Sequence, residues 1–280
     1  MTTVLTVAGL TLREASRRRV LLALGALTVV LLALSAWGFS KLADEALTTG
    51  ETRLTASIVL NLVMFGYSLI AALGTAFLAG PTLAGETESG LALSVLARPI
   101  RRSAFLAGKW LGLVAFGSGF VVLAGLAQCT VVYATVGYWP PDVATGVGLL
   151  AAQTAVLLTL AVLLSTVVSP MASGVVAVGL FCTTWVAGVV GGIGGAIGNE
   201  PVERSGSVSR ALRPTDGLWR GAMHAFQDPS ALVQFGGGDE AGAFPFLSLS
   251  GLTGGYLAWA VLWVAMVWGL AALSFSRKDL

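Results

Sequence analysis

The chain has 280 residues, of which 56% are hydrophobic and only 11% charged, and its net charge is +2. Soluble domains carry about 25% charged residues to cover a water-facing surface, so this composition excludes an ordinary soluble globule and places much of the surface in lipid. Six spans of ~20 residues with their connections consume most of the length, which predicts one membrane domain, 1–280, with no separate soluble catalytic domain.

In chain order, residues 1–19 mix the apolar Val4, Leu5, Ala8 and Leu12 with Arg13, Glu14, Arg17, Arg18 and Arg19. That spacing predicts a short amphipathic helix lying on the membrane surface and ending in a basic anchor. A first span follows at about 20–39. A charged start before an apolar run also suits a signal peptide, but this run is long for one. Ser40-Lys41-Leu42-Ala43-Asp44 after it is no clean cleavage site, so a retained span is expected. A polar turn, 40–53, leads to the second span, about 54–78, whose most polar residue is Asn61. The third span, about 111–136, closes on the interfacial cluster Tyr138-Trp139-Pro140-Pro141, and the fourth, about 144–168, ends at Ser169-Pro170. The fifth, about 172–198, repeats glycine at four-residue spacing as Gly188/Gly192, Gly191/Gly195 and Gly194/Gly198. Such a face lets backbones approach closely, for helix packing or a dimer contact; a re-entrant or flexible helix end is the other reading. The polar stretch 199–254 precedes the sixth span, about 255–275, and the tail is Ser276-Arg277-Lys278-Asp279-Leu280.

Lysine and arginine counts set the expected orientation. With the N-terminus inside, ten basic residues face inward: Arg13, Arg17, Arg18, Arg19, Arg98, Arg101, Arg102, Lys109, Arg277 and Lys278. The short outer loops hold two, Lys41 and Arg53, while the long loop weighs less in this rule. Both termini are therefore expected in the cytoplasm, with Arg17, Arg18, Arg19, Arg101, Arg102, Lys109, Arg277 and Lys278 as anchors at the lipid headgroups. Within 199–254, Leu218, Trp219, Ala222, Met223 and Phe226 follow helical spacing while Asp216, Arg220, His224 and Gln227 fall elsewhere. With Thr215 as cap, 214–227 is expected to lie as an amphipathic helix at the outer headgroups, covering the bundle or gating an exit.

Asp, Glu, Lys, Arg and His are absent from the interiors of the six proposed spans. Ion-coupled transporters usually place such a group within the membrane despite its cost, so a self-powered secondary transporter is disfavoured. Asn61, Gln128 and Gln153 are expected to bind helices to one another. Cys129 and Cys182 sit in apolar runs and read as small core residues. A phosphate-cradling loop needs Gly-x-x-x-x-Gly-Lys before Ser or Thr. Around Gly108-Lys109 the first glycine is replaced by Ser103, and Trp110 follows. No ATP site is expected here and the chain is not expected to be an enzyme. The sole histidine, His224, reads as solvated, and it does not converge with the cysteines on a metal site or with Ser118 on a protease site.

The segment 79–109 has charges at both ends and an apolar middle. From the residues alone it is a short helix with Glu86 and Glu88 near its start, Leu93 and Leu96 on one face and Pro99 as its stop. It would lie at the membrane surface, either presenting a face to a cytoplasmic partner or serving as an ordinary positive-inside loop. The pattern Glu86-x-Glu88-x-Gly90, Arg98-Pro99-x-x-Arg102 and Gly108-Lys109 resembles the first cytoplasmic loop of the type-2 permease subunits of ATP-binding-cassette exporters. The tail from Phe275 to Leu280, the six-span layout, the basic N-terminal helix and the long outer loop are similar as well. The chain departs from the family in having Leu91-Ala92 where Thr-Leu is common.

The resemblance implies an all-α membrane protein working as a dimer of two copies or paralogues, in the plasma membrane of a prokaryotic cell. It also implies a coupling helix docked on a separate cytoplasmic ATPase, through Glu86, Glu88, Gly90, Leu93, Leu96, Arg98 and Pro99. ATP and Mg would be bound by that partner; this chain would contact lipid and hold no cofactor, and no nucleic acid is expected. A non-transporting module that converts ATPase strokes into mechanical or signalling output is the alternative.

Overall fold

The computed structural model describes residues 2–17, 19–44, 49–88, 101–228, 244–248 and 251–277, and among them it contains nine α-helices and no strand. They are α1 (Thr2–Ser16), α2 (Val20–Asp44), α3 (Thr49–Glu88), α4 (Arg102–Val136), α5 (Val143–Val167), α6 (Pro170–Ala196), α7 (Glu200–Leu212), α8 (Thr215–Phe226) and α9 (Gly254–Ser276). Six of these, α2, α3, α4, α5, α6 and α9, are long and apolar enough to cross a membrane. The local chemistry marks their ends. Asp142 accepts from the Thr145 amide at 3.1 Å to cap α5, Pro170 opens α6, and Gly137 stops α4 with a φ of 68°.

Two spans differ from the sequence expectation at the end of the bundle that carries the termini. The second span ends at Gly80, but its helix does not: α3 continues to Glu88 without breaking at Gly80-Pro81. Glu86 and Glu88 therefore belong to the last turn of a long helix, not to the first turn of a separate one, and the dipole argument made for them does not hold. The third span begins at Arg102 rather than 111, because nothing between Arg102 and Trp110 interrupts the helix.

Close glycine crossings hold this end together. A Cβ on Gly80 would lie 2.5 Å from the Pro170 carbonyl oxygen, and one on Gly174 would lie 2.6 Å from the Ala76 carbonyl oxygen, so α3 and α6 touch backbone to backbone. Gly108 and Gly112 of α4 seat α1 in the same way, against the carbonyls of Val4 and Ala8. Val7, Thr11 and Ala15 are the buried face of α1, whereas Leu5, Leu10 and Leu12 are exposed, as a helix with one side in lipid requires.

The far end carries the larger departure. The polar stretch after α6 contains two helices that plunge back into the bundle. Gly198, with a φ of 67°, and Asn199, which accepts from the Val202 amide at 3.4 Å, reverse the chain. Then α7 runs along α6 so closely that a Cβ on Gly191 would lie 2.7 Å from the Gly206 Cα. Just past α7, Arg213 donates to the Leu180 carbonyl at 3.0 Å, which is about 24 Å below the end of α6 at 1.5 Å per residue. From that depth α8 climbs along α5, and the Asp142 amide meets the Ala225 carbonyl at 3.2 Å. The amphipathic helix anticipated at the headgroups is thus inserted in the core, where Leu218, Trp219, Ala222, Met223 and Phe226 are all buried. Burying the large apolar side chains of Leu218, Trp219, Met223 and Phe226 outweighs laying them at an interface.

Candidate functional site

Inside the bundle, polar side chains join the spans. Gln128 of α4 accepts from the Tyr67 hydroxyl of α3 at 3.1 Å and donates to Ser35 of α2. Gln153 of α5 accepts from Ser68 at 3.0 Å and donates to the Thr215 carbonyl at 3.2 Å, and Asn61 donates to the Phe246 carbonyl at 3.1 Å. These bonds fix four helices and the tip of the hairpin in one register. Aromatic rings fill the space between: Phe65 lies 4.5 Å from Trp185 and 5.5 Å from Trp219, centre to centre. The expected Thr215 cap is not made. Pro214 occupies the cap position, and Thr215 is buried with its carbonyl engaged by Gln153.

The hairpin brings charge into the bundle at the far end. Asp216 is 3% exposed and accepts from the Arg220 Nε at 3.1 Å, while the Arg220 Nη2 donates to the Gly188 carbonyl at 2.7 Å. Burial pushes the Asp216 carboxyl above the usual carboxylate range, against the opposing pull of the Arg220 guanidinium. A Cβ on Gly188 would collide with the Asp216 carboxylate, so the glycine at this position leaves room for the ion pair. Of the anticipated packing face, Gly188, Gly191 and Gly194 look onto α7 and α8 of the same chain, and Gly191, Gly192 and Gly195 line a cavity of about 570 Å³. Arg210, Arg220, Glu203 and Tyr256 also face that cavity, which makes it a polar chamber at the far end. His224, expected to be solvated, is half-buried with Nδ1 3.2 Å from the Ser248 carbonyl, because α8 is drawn into the bundle.

Sequence reasoning missed this chamber. Asp216 and Arg220 at i,i+4 are a visible signal, as is a second glycine, Gly206, facing the glycine-rich span; an amphipathic helix in a polar stretch suggests the surface rather than the interior.

At the termini end, the expected anchors divide. Arg17, Arg19, Arg101 and Arg277 are exposed, and Arg102 reaches the Ser276 carbonyl at 3.3 Å, tying α4 to the end of α9. Arg18 and Lys278 lie outside the described residues. Lys109 is covered and paired: it is 6% exposed, 3.4 Å from Glu14 and 5.7 Å above the Phe105 ring. Gly108 beside it is closed off by Val7, so α1 covers the lysine and gives it a counter-charge. Of the anticipated coupling residues, Glu86 and Glu88 fall in the last turn of α3. Gly90, Leu93, Leu96, Arg98 and Pro99 lie outside the described residues. A small apolar cavity of about 160 Å³, bounded by Leu24, Gly74, Leu113 and Leu158 among others, separates α2 from α3, α4 and α5.

Six apolar helices, with polar side chains joining four of them, and a re-entrant hairpin define a multi-pass membrane protein. A family profile described as "ABC-2 family transporter protein" matches residues 5–280, and the chain belongs to that family. It is a permease component of an ATP-binding-cassette transporter, a class that works with an ATPase in general. No curated protein matches the chain.

Proposed function

We propose that this chain is the membrane half of an exporter that pairs with a second copy or a paralogue and is driven by a separate cytoplasmic ATPase. The observation that carries the reading is the family match across 5–280 on a bundle of six spans. The ATPase docks on the end of α3 and the segment that follows, residues 86–99, and supplies the ATP and Mg chemistry; this chain supplies the pathway. Both termini and that segment face the cytoplasm, in keeping with the basic residues Arg17, Arg19, Arg101 and Arg277 exposed at that end. The far-end chamber then opens outward. Binding of ATP brings the ATPase pair together and rocks the two membrane halves, so that the pathway is exposed alternately to each side.

The test is co-purification of the chain with its cognate ATPase, together with ATP turnover. The chain alone is expected to hydrolyse no ATP, and Glu86→Ala or Leu93→Asp is expected to weaken or uncouple the complex without lowering the amount of folded permease. Removing one partner of a desolvated interfacial charge pair costs about 2–5 kcal/mol, or at least 30-fold in affinity. Wild-type binding and turnover in both variants would place the contact elsewhere; robust turnover by the isolated chain would sink the division of labour.

A further inference from the structure

Two cavities at the far end share a border. The polar chamber of about 570 Å³ and an open apolar groove of about 940 Å³ are both lined by Arg210, Thr253 and Tyr256. The groove continues down the side of α9 past Trp259, Trp263 and Met266, with Leu212 of α7 opposite. Its wall is built with care. The last carbonyls of α7 have no partner within that helix. Tyr256 donates to the carbonyl of Arg210 at 3.0 Å, Trp259 to that of Ala211 at 3.1 Å and Trp263 to that of Leu212 at 2.8 Å. Three aromatic side chains on one face of a span are thereby pinned beside the groove.

The two cavities differ in chemistry. Below Arg210, Thr253 and Tyr256 the groove is lined by Trp259, Trp263, Met266 and Leu212, which offer water few hydrogen-bond partners, so an apolar chain suits that part. At its upper end stands Arg210, half-buried. Its guanidinium reaches only its own helix, with Nε 3.3 Å from the Gly206 carbonyl and Nη2 3.5 Å from Ser207 Oγ. No carboxylate among the described residues lies within ion-pair distance of it, in contrast with Arg220, which has Asp216. The one acidic residue lining the chamber, Glu203, is exposed. Among the described residues Arg210 has no direct ion pair and is attracted by the Asp216 carboxylate only from further off, which leaves a half-buried guanidinium able to take an anion beside it.

We infer that the joined cavities bind one anionic phospholipid from the bilayer, with its phosphate at Arg210 in the chamber and an acyl chain in the groove along α9. The inference rests on the transporter reading and adds a substrate class to it: an acyl-chain amphiphile with an acidic headgroup, entering or leaving sideways between α7 and α9.

The test counts lipids on the full-length chain by native mass spectrometry after purification in equimolar phosphatidylglycerol and phosphatidylcholine. Phosphatidylglycerol is expected to be retained in about fivefold excess, the factor that one basic side chain contributes towards an anionic lipid. Arg210→Gln is expected to abolish the excess, Arg210→Lys to keep it, and Met266→Trp, which fills the groove, to lower retention while leaving the fold intact. Arg277→Gln, an exposed residue at the other end, is expected to lower the excess less than Arg210→Gln does. Equal retention of the two lipids, or an excess that survives both Arg210→Gln and Met266→Trp, overturns the proposal and reduces the groove to ordinary lipid contact. If Arg210→Gln fails to fold, the Met266→Trp count decides alone. Turnover of the complex with the ATPase is measured on the same preparations: no complex sinks the transporter reading and leaves the lipid count standing, whereas equal retention in a working complex sinks this inference only.

Discussion

Asp216 and Arg220 form a charge pair in which the two partners are not equivalent. The carboxylate is almost fully buried, while the guanidinium keeps one edge in the chamber and a bond to the Gly188 carbonyl. Removing the arginine strands a buried anion, which costs about 3–5 kcal/mol. Removing the acid leaves a cation that still has an acceptor. Arg220→Met is therefore expected to lower the unfolding temperature more than Asp216→Asn does. The pH dependence follows from the raised affinity of Asp216 for its proton. An acid whose folded-state pKa lies above its unfolded value is best tolerated below the unfolded value, and the advantage is lost as pH rises through the folded one. Without Arg220 the carboxyl is shifted further upward, so the deficit of Arg220→Met should shrink on acidification and grow towards neutral pH. Thermal unfolding of both variants between pH 4 and pH 8, roughly the range bracketing a carboxylate shifted by burial, checks this; an equal deficit at every pH would mean that Asp216 is not the group left stranded.

Among the elements, the contact of α6 with α7 makes the sharpest demand on sequence. Gly191 and Gly206 face one another with no room for a methyl group, whereas Gly179 on the same span has nothing within 4 Å. Gly191→Ala is expected to force the helices apart at a cost of about 1–3 kcal/mol. Gly179→Ala should be neutral or stabilise by up to about 1 kcal/mol, because alanine is the better helix former. Unfolding in detergent monitored by circular dichroism separates the two; similar effects would deny that close packing is the role of this face. Much of this was legible in advance. Runs of twenty or more apolar residues state where a span is, and glycines spaced by four state which face is narrow. Where α7 and α8 would go was not legible. Whether a polar stretch with a short amphipathic helix lies on the membrane or dives into it depends on an opening in the bundle, which several distant helices create together. The end of α3 was misplaced for a related reason: Gly80-Pro81 reads as a break, yet the crossing with α6 supports the chain through it. The pairing of Lys109 with Glu14 was not legible either, because the two lie 95 residues apart.

For the whole molecule, orientation is open to a direct measurement. Single cysteines at Thr49 or Glu200, in a background lacking Cys129 and Cys182, are expected to react with an impermeant thiol reagent applied outside intact cells, and cysteines at Ser16 or Ser103 are not. All four positions are exposed, so burial does not confound the comparison, and labelling of Ser103 from outside would invert the proposed topology. The described residues at the two ends of the bundle also differ in kind. One end carries α1 and the end of α3; the other carries the hairpin of α7 and α8 with its chamber.

The length of α3 has a mechanical meaning. At 1.5 Å per residue its 40 residues make a rod of about 60 Å, roughly twice the hydrocarbon thickness of a bilayer. It bears on α6 at Gly80, which divides it into arms of about 12 Å towards Glu88 and about 46 Å towards Thr49. A rigid rod turning on that bearing, with the helices bonded to it at Tyr67 and Ser68 carried along, would multiply a displacement at the short arm nearly fourfold at Thr49, about 4 Å for each 1 Å. Pro81, which has no amide proton to donate, is the one place beside the bearing where bending is cheap. Spin-label distances from Thr49 to the hairpin, with and without nucleotide on the assembled complex, distinguish a stiff lever from a joint that absorbs the stroke.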